Sequence, residues 1–191
     1  MTDQEICNVN ASIEAVVSKF QRTPNVFLTE EDLRLHLCSN LLQHFGTEQA
    51  TQDGDLSISL HSEVRWYGGA GDLTTRSDIV LADVADLKVL HYNKMPSKGY
   101  AFNIPKGIIE LKFRRPNGKS DSGFLRDIQD DLNKLSGLKQ EFYDAQGRYQ
   151  TAFWMVILDK KAELQDIPAV VGIETIYKFS NHSYPRLSNP N

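Results

Sequence analysis

The segment 107–113 carries a glutamate and a lysine that are placed for chemistry. Its residues alternate with the period of a β-strand, which puts Ile108, Glu110 and Lys112 on one face. The opposite face is wholly apolar and therefore predicts part of the core. Burying a carboxylate and an ammonium in a sheet is costly unless they bind each other, a metal or a substrate. The segment is thus the first indication of a functional site.

Acidic residues upstream could join this pair. Thr29 before Glu30 and Glu31 predicts a helix start, because a hydroxyl cap and acidic side chains suit the positive end of the helix dipole. Either glutamate could be partly buried at the first turn of that helix. Asp78 lies on a second predicted strand, 75–83, where it shares a face with Arg76.

Hydrophobic periodicity predicts the elements that must position these residues. In chain order they are a helix over 10–20, a helix from Thr29 to a stop at Gly46, strands over 56–67 and 75–83, a loop-like insert over 84–102, the strand 107–113, a helix over 125–142, a buried strand over 152–158 and a possible last strand over 170–179. Strict alternation along 56–67 places Leu60 and Val64 on the same face. Three consecutive strands favour a meander, and the helix before 152–158 favours a parallel crossover. We therefore expect an α/β fold with a mixed central sheet flanked by helices.

Composition limits the class of protein. A chain of 191 residues fits one domain, and its net charge of −4 argues against a protein that coats nucleic acid electrostatically. A local basic groove is still compatible with that charge. Cys7 and Cys38 form no metal-binding pair, and the longest apolar run, 152–158, is far too short to span a bilayer. With no signal-peptide pattern at the N-terminus, we expect a cytoplasmic protein without a membrane partner.

The acidic helix start, Asp78 and the Glu110-Leu111-Lys112 element, followed by a helix and a buried strand, resemble the PD-(D/E)XK nuclease superfamily. The resemblance covers about 29–159 and implies a restriction-endonuclease-like αβββαβ core. The whole chain, 1–191, would then be a single domain with an added N-terminal helix and a C-terminal strand and tail. Ser77 stands where the motif has proline.

The resemblance also implies roles for individual residues. Asp78 and Glu110 would hold a divalent ion, Lys112 would orient or polarise the attacking water, and Glu30 would complete the ligand set, with Glu31 as the alternative. Magnesium prefers oxygen ligands and takes only one or two carboxylates, so two acids on adjacent strands suit it, and Mn²⁺ could substitute. Lysine suits such a site because its pKa is easily lowered there.

The implied activity is Mg²⁺-dependent endonucleolytic hydrolysis of phosphodiester bonds. DNA is the expected substrate, in defence, repair or mobile-element biology, and a homodimer is possible because such enzymes often cut two strands as dimers. The alternative is a catalytically inactive member of the same fold that binds nucleic acid or a protein partner, since the sequence contains no dedicated base-reading element. A third interpretation is a generic α/β scaffold in which the acid–lysine motif is accidental. For the Glu110 and Lys112 pair itself, the alternative is an edge strand whose solvent face carries an ordinary cross-strand pair.

Further candidates surround these residues. Glu63 and Arg76 could form a polar network beside the metal, and Lys134 could reach the phosphate, although with Asp127 and Asp131 it also fits a solvated helix face. A basic loop could contact a nucleic-acid backbone through a set of cations: Arg114, Arg115, Lys119, Lys94 and Lys98. Two other short acid–lysine motifs, Asp86-Leu87-Lys88 and Asp159-Lys160-Lys161, have no supporting strand context, and the second is expected to mark the exit of a strand into solvent.

Overall fold

The computed structural model describes residues 1–67, 73–87, 105–143, 147 and 150–180. Several predictions made above fall elsewhere: the loop at 68–72, most of the insert with Lys88, Lys94 and Lys98, and most of the polar C-terminal tail lie outside the described residues.

Three α-helices occur in the described part of the chain: α1 (Asp3–Arg22), α2 (Glu30–Phe45) and α3 (Asp121–Glu141). The α1 helix begins earlier than predicted because Thr2 and Glu5 form a capping box, in which each side chain accepts a hydrogen bond from the other's backbone amide. The α2 helix begins directly after Thr29 and is capped at Gly46, as predicted.

The strands are β1 (Gln49–Ala50), β2 (Leu56–Ser57), β3 (Leu60–Tyr67), β4 (Leu73–Leu81), β5 (Gly107–Arg114), β6 (Ala152–Asp159) and β7 (Glu174–Phe179). β1 and β2 pair with each other, whereas the other strands form one sheet in the order β3-β4-β5-β6-β7. The first three strands of that sheet are antiparallel, and β5, β6 and β7 are parallel. The α3 helix connects β5 to β6, which a parallel pair requires. The predicted mixed sheet with flanking helices is confirmed.

The sheet separates two apolar clusters. One contains the buried faces of α1 and α2, and the other contains the buried face of α3. Ile109 and Leu111 of β5 pack with α1 and α2, whereas Ile108 packs with α3. The predicted alternation along β5 is therefore confirmed, and it directs Glu110 and Lys112 toward the α3 side.

The strand predicted along 56–67 is wrong in two respects. Leu56 and Ser57 form the separate strand β2, where Leu56 is exposed, and the alternation of faces breaks within β3. Leu60 packs in the cluster with α1 and α2, but Val64 packs in the cluster with α3. Between them, Glu63 has a φ of 57°, the left-handed region that side chains other than glycine rarely adopt. Such a residue costs roughly 1–3 kcal/mol and persists only where its surroundings hold it. The left-handed residue lies between the two parts of the strand that face opposite clusters, so the change of face occurs at Glu63.

Candidate functional site

The site begins where β4 and β5 separate. Their ladder pairs Leu81 with Gly107 and ends at the pair Ile79–Ile109. Beyond that pair, a side chain replaces the backbone carbonyl as hydrogen-bond acceptor. The Leu111 amide donates to Asp78 Oδ2 at 2.8 Å. The Asp78 carboxylate therefore lies between β4 and β5 where the two strands separate.

β5 is the middle strand of the five-stranded sheet, and Glu110 is only 2 % exposed. This position excludes the interpretation of an edge strand with a solvated Glu–Lys pair. Lys134 of α3 contacts this carboxylate, and its Nζ donates a hydrogen bond to Glu110 Oε2 at 2.6 Å. The same ammonium donates to the Arg76 carbonyl at 3.0 Å.

The second carboxylate oxygen of Glu110 is buried and finds no hydrogen-bond partner among the described residues. Burial and the nearby Asp78 carboxylate raise the pKa of Glu110 to about 8, although Lys134 opposes the shift. Burial disfavours a charged carboxylate and a like charge adds to that cost. Glu110 is therefore a buried acid whose ionisation lacks full compensation.

Arg34 on α2 is a central residue of the site that the sequence prediction missed. It is 7 % exposed, and its Nη2 donates to Asp78 Oδ1 at 2.8 Å. Its Nη1 lies 2.6 Å from a Glu31 oxygen and 2.8 Å from Glu63 Oε1. Burial works against its charge, but the Asp78 and Glu63 carboxylates outweigh burial and raise the pKa of Arg34. The available signal was a charged residue directly beside Leu33, on the apolar face of the helix.

Glu30, not Glu31, approaches β5. Glu30 is half-buried, and its Oε2 accepts a hydrogen bond from the Phe113 amide at 3.1 Å. Burial raises the pKa of Glu30, against the opposing effect of Lys112. The Glu31 side chain is largely exposed and pairs with Arg34.

Lys112 points at the same side of the sheet as Glu110 but pairs with a different helical residue. Its Nζ lies 2.6 Å from Asp131 Oδ2. Burial alone would lower the pKa of Lys112, but Asp131 and Glu30 outweigh burial and raise it. The expectation of a lowered lysine pKa is therefore wrong in this arrangement, and Lys112 is a cation at neutral pH.

The interpretation of Asp131 and Lys134 as part of a solvated helix face is wrong. Both side chains are half-buried and contact β5, so α3 closes one side of the site. Asp127, on the same helix, pairs instead with Lys119 at 2.6 Å.

Arg114 does not belong to an exposed basic loop, and its predicted contact with a nucleic-acid backbone is wrong. It is the last residue of β5, it is 2 % exposed, and its Nε donates to Asp159 Oδ1 at 2.9 Å. Its guanidinium also pairs with Asp121 and lies over the Phe124 ring, 4.9 Å from the centroid.

Arg115 and Lys119 are exposed, as the prediction of a basic loop requires. Together with Glu30 and Lys112 they line a cavity of about 220 Å³ that opens beside the site. The acids of the two other acid–lysine motifs lie elsewhere in the fold, and Lys88 falls outside the described residues. Asp86 lies in a short 3-10 helix, and Asp159 is completely buried against Arg114.

The prediction that Asp159-Lys160-Lys161 marks an exit into solvent is right for Lys161, which is exposed, and wrong for Asp159, which is completely buried. Lys160 is also buried, and its Nζ donates to the Phe27 carbonyl at 3.0 Å. This motif holds the end of β6 to the segment before α2.

No protein-family profile, curated protein or solved structure matches the chain. Within the described ranges, no three or more His, Cys, Asp or Glu side chains are grouped so as to hold a metal. None of the described helices is both long and apolar enough to cross a membrane.

Proposed function

We propose that the chain is a divalent-metal-dependent endonuclease with a restriction-endonuclease-like αβββαβ core, acting on the phosphodiester bonds of DNA. The observation that carries the proposal is Glu110, a buried carboxylate on the central strand with one oxygen that lacks a hydrogen-bond partner in the described structure. A divalent cation shared with Asp78 would offset both the burial of Glu110 and the repulsion between the two acids.

The arrangement of elements supports the same proposal. The chain order is the one that the resemblance implies: a capped helix, three antiparallel strands, a helix and a parallel strand. Asp78 and Glu110 lie on neighbouring strands at the point where the ladder ends. Strand ends that separate leave room for a ligand between them.

Asp78 and Glu110 would hold the ion, and this set fits magnesium, which binds through one or two carboxylates and keeps several waters. Bound there, the ion would supply an activated water and neutralise charge on the phosphate. Glu30 would border the site from α2, where its carboxylate is already oriented by the Phe113 amide.

Lys112 is a cation, so its role in this proposal is electrostatic. An ammonium beside the scissile phosphate stabilises the negative charge that grows on the phosphate oxygens. Asp131 is a positioning residue, because its carboxylate fixes Lys112 Nζ at 2.6 Å.

A second candidate function is a non-catalytic domain of the same fold that binds nucleic acid or a protein partner. The observation that favours it is that internal cations already pair with both proposed ligands. Arg34 contacts Asp78 and Lys134 contacts Glu110. In such a domain these ion pairs would be permanent.

Titration with Mn²⁺, followed by assays of DNA and RNA cleavage with Mg²⁺, separates the two functions. We expect the folded protein to bind Mn²⁺ and to cut DNA, and Glu110→Gln to lose both properties. Glu163→Gln, an exposed position beyond β6, is the matched control and should retain both. A folded wild-type protein that neither binds Mn²⁺ nor cleaves would support the non-catalytic domain.

A further inference from the structure

We propose that Arg34 takes the place of a second cation in the candidate site, so that the site binds one divalent ion instead of two. This inference rests on the proposed nuclease function and specifies its metal stoichiometry.

Three carboxylates converge on the Arg34 guanidinium. Glu31, Glu63 and Asp78 approach it to between 2.6 and 2.8 Å, and they come from α2, β3 and β4. Carboxylates from separate elements that meet at one point are the usual ligands of a divalent ion. Here their shared partner is a side chain of the same protein.

The backbone at Glu63 indicates that this convergence is built into the fold. Glu63 has a φ of 57° in the interior of β3, between the pairs Ser62–Ile79 and Val64–Ser77, and so lies across from Asp78. Its two carboxylate oxygens contact Arg34 and Arg76, at 2.8 and 2.6 Å. Strained residues are concentrated at functional sites, where the surrounding contacts hold them.

The guanidinium supplies positive charge to three carboxylates, a charge that a second ion would otherwise provide. Two-metal sites hold their ions about 3.5–4 Å apart, with protein carboxylates between them. A second ion beside Asp78 would compete with Arg34, because Asp78 Oδ1 already accepts a hydrogen bond from Arg34 Nη2 at 2.8 Å. A guanidinium does not lose its proton in a protein, so Arg34 remains a fixed positive charge.

The number of bound ions tests this inference directly. We would measure Mn²⁺ bound per chain by equilibrium dialysis with electron paramagnetic resonance, and the dependence of DNA cleavage on Mn²⁺ concentration. The wild type should bind one ion and cleave with a first-order dependence on Mn²⁺. Arg34→Gln should bind a second ion, and its cleavage should require higher Mn²⁺ and become cooperative.

Arg34→Lys is the matched control because it keeps the positive charge, and it should bind one ion. A purely structural role for Arg34 predicts no change in stoichiometry, so Arg34→Gln with a single ion would overturn the inference. Two ions in the wild type would overturn it as well, even if Arg34→Gln does not fold. Absence of any bound ion in the folded wild type would instead refute the proposed metal-dependent function on which the inference rests.

Discussion

Glu110 combines a buried carboxylate, an ion pair with Lys134 and a neighbouring acid, Asp78. Its pKa is raised to about 8 by burial first and by Asp78 second. The position therefore favours the neutral acid in the metal-free protein. A residue that destabilises its own fold in the charged form is a common feature of sites that bind or react with something else.

We predict that Glu110→Gln stabilises the metal-free protein at pH 8. The pKa of Glu110 is higher in the folded protein, about 8, than in the unfolded chain, near 4.5. Its contribution to the free energy of unfolding is therefore fully present below pH 4.5 and is lost as the pH rises through about 8. Glutamine resembles the neutral acid and avoids that loss. In EDTA, urea unfolding should show the variant more stable than the wild type by about 1–3 kcal/mol at pH 8.

The same difference should shrink toward pH 5, where the wild-type acid is largely protonated in the folded state. Glu163→Gln, at an exposed position, is the matched control and should change the free energy of unfolding by no more than about 0.5 kcal/mol. A Glu110→Gln variant that is less stable than the wild type at pH 8 would contradict this account of Glu110.

The residues differ in how readily the sequence identifies them. Glu110 and Lys112 were predicted to share a face because β5 is flanked by apolar residues on both sides, and a two-residue period is then unambiguous. Arg34 was missed because a buried cation on an apolar helix face is recognisable only when its carboxylate partners are known, and the two on the sheet, Glu63 and Asp78, are distant in sequence. Glu63 was predicted as a candidate beside Arg76, and the two do pair, but its left-handed backbone was missed because alternation assumes a regular strand and no glycine marks the position.

At the scale of elements, α3 is placed by its apolar residues and not by its charges. Leu132 and Leu135 are buried in the cluster beneath the helix, and this packing fixes its rotation about its own axis. Asp131 and Lys134 each precede one of these leucines and so lie at the border of the apolar face. Residues at that border can reach the sheet or the solvent, which is why their contacts with β5 could not be predicted from spacing alone.

The ends of β5 and β6 and the start of α3 are joined by a single buried arginine. Arg114 contacts Asp159 and Asp121, and Asp159 is 0 % exposed. We predict that Arg114→Met lowers the free energy of unfolding by about 3–5 kcal/mol, because it leaves the Asp159 carboxylate buried without its cation.

Arg115→Met is the matched control, since Arg115 is the next residue and is exposed. Its effect on stability should be within about 0.5 kcal/mol. Chemical unfolding of the two variants and the wild type measures the three free energies of unfolding. Equal effects on stability would show that Arg114 does not join these elements as its contacts indicate.

At the scale of the whole molecule, charge is distributed unevenly. The chain carries a net charge of −4, but Arg115 and Lys119 are exposed beside the cavity that adjoins the site. Composition alone could exclude a protein that coats nucleic acid, because that class needs a large overall positive charge. It could not locate a small basic surface, because the position of Arg115 and Lys119 depends on where β5 ends.

We therefore expect DNA to bind the wild type with a salt dependence to which this pair contributes. Each phosphate contact that a cation provides adds about −0.9 to the slope of log affinity against log salt concentration, since counterions are released from the DNA. Replacing both cations, in Arg115→Gln/Lys119→Gln, should make the slope less negative by at most about 1.8, the value for two full phosphate contacts. Fluorescence anisotropy with a labelled duplex in EDTA, over a range of NaCl concentrations, measures both slopes without cleavage.

Lys178→Gln on the edge strand β7 removes an exposed cation away from this cavity and should leave the slope unchanged. Because Lys119 also pairs with Asp127 at 2.6 Å, part of its charge is compensated before DNA binds, and Lys119→Gln alone should change the slope less than Arg115→Gln alone. If the double variant kept the wild-type slope while Lys178→Gln changed it, DNA would be contacting a different face of the sheet. Agreement with the expected order would place the phosphate backbone along the cavity that leads to Glu30 and Lys112.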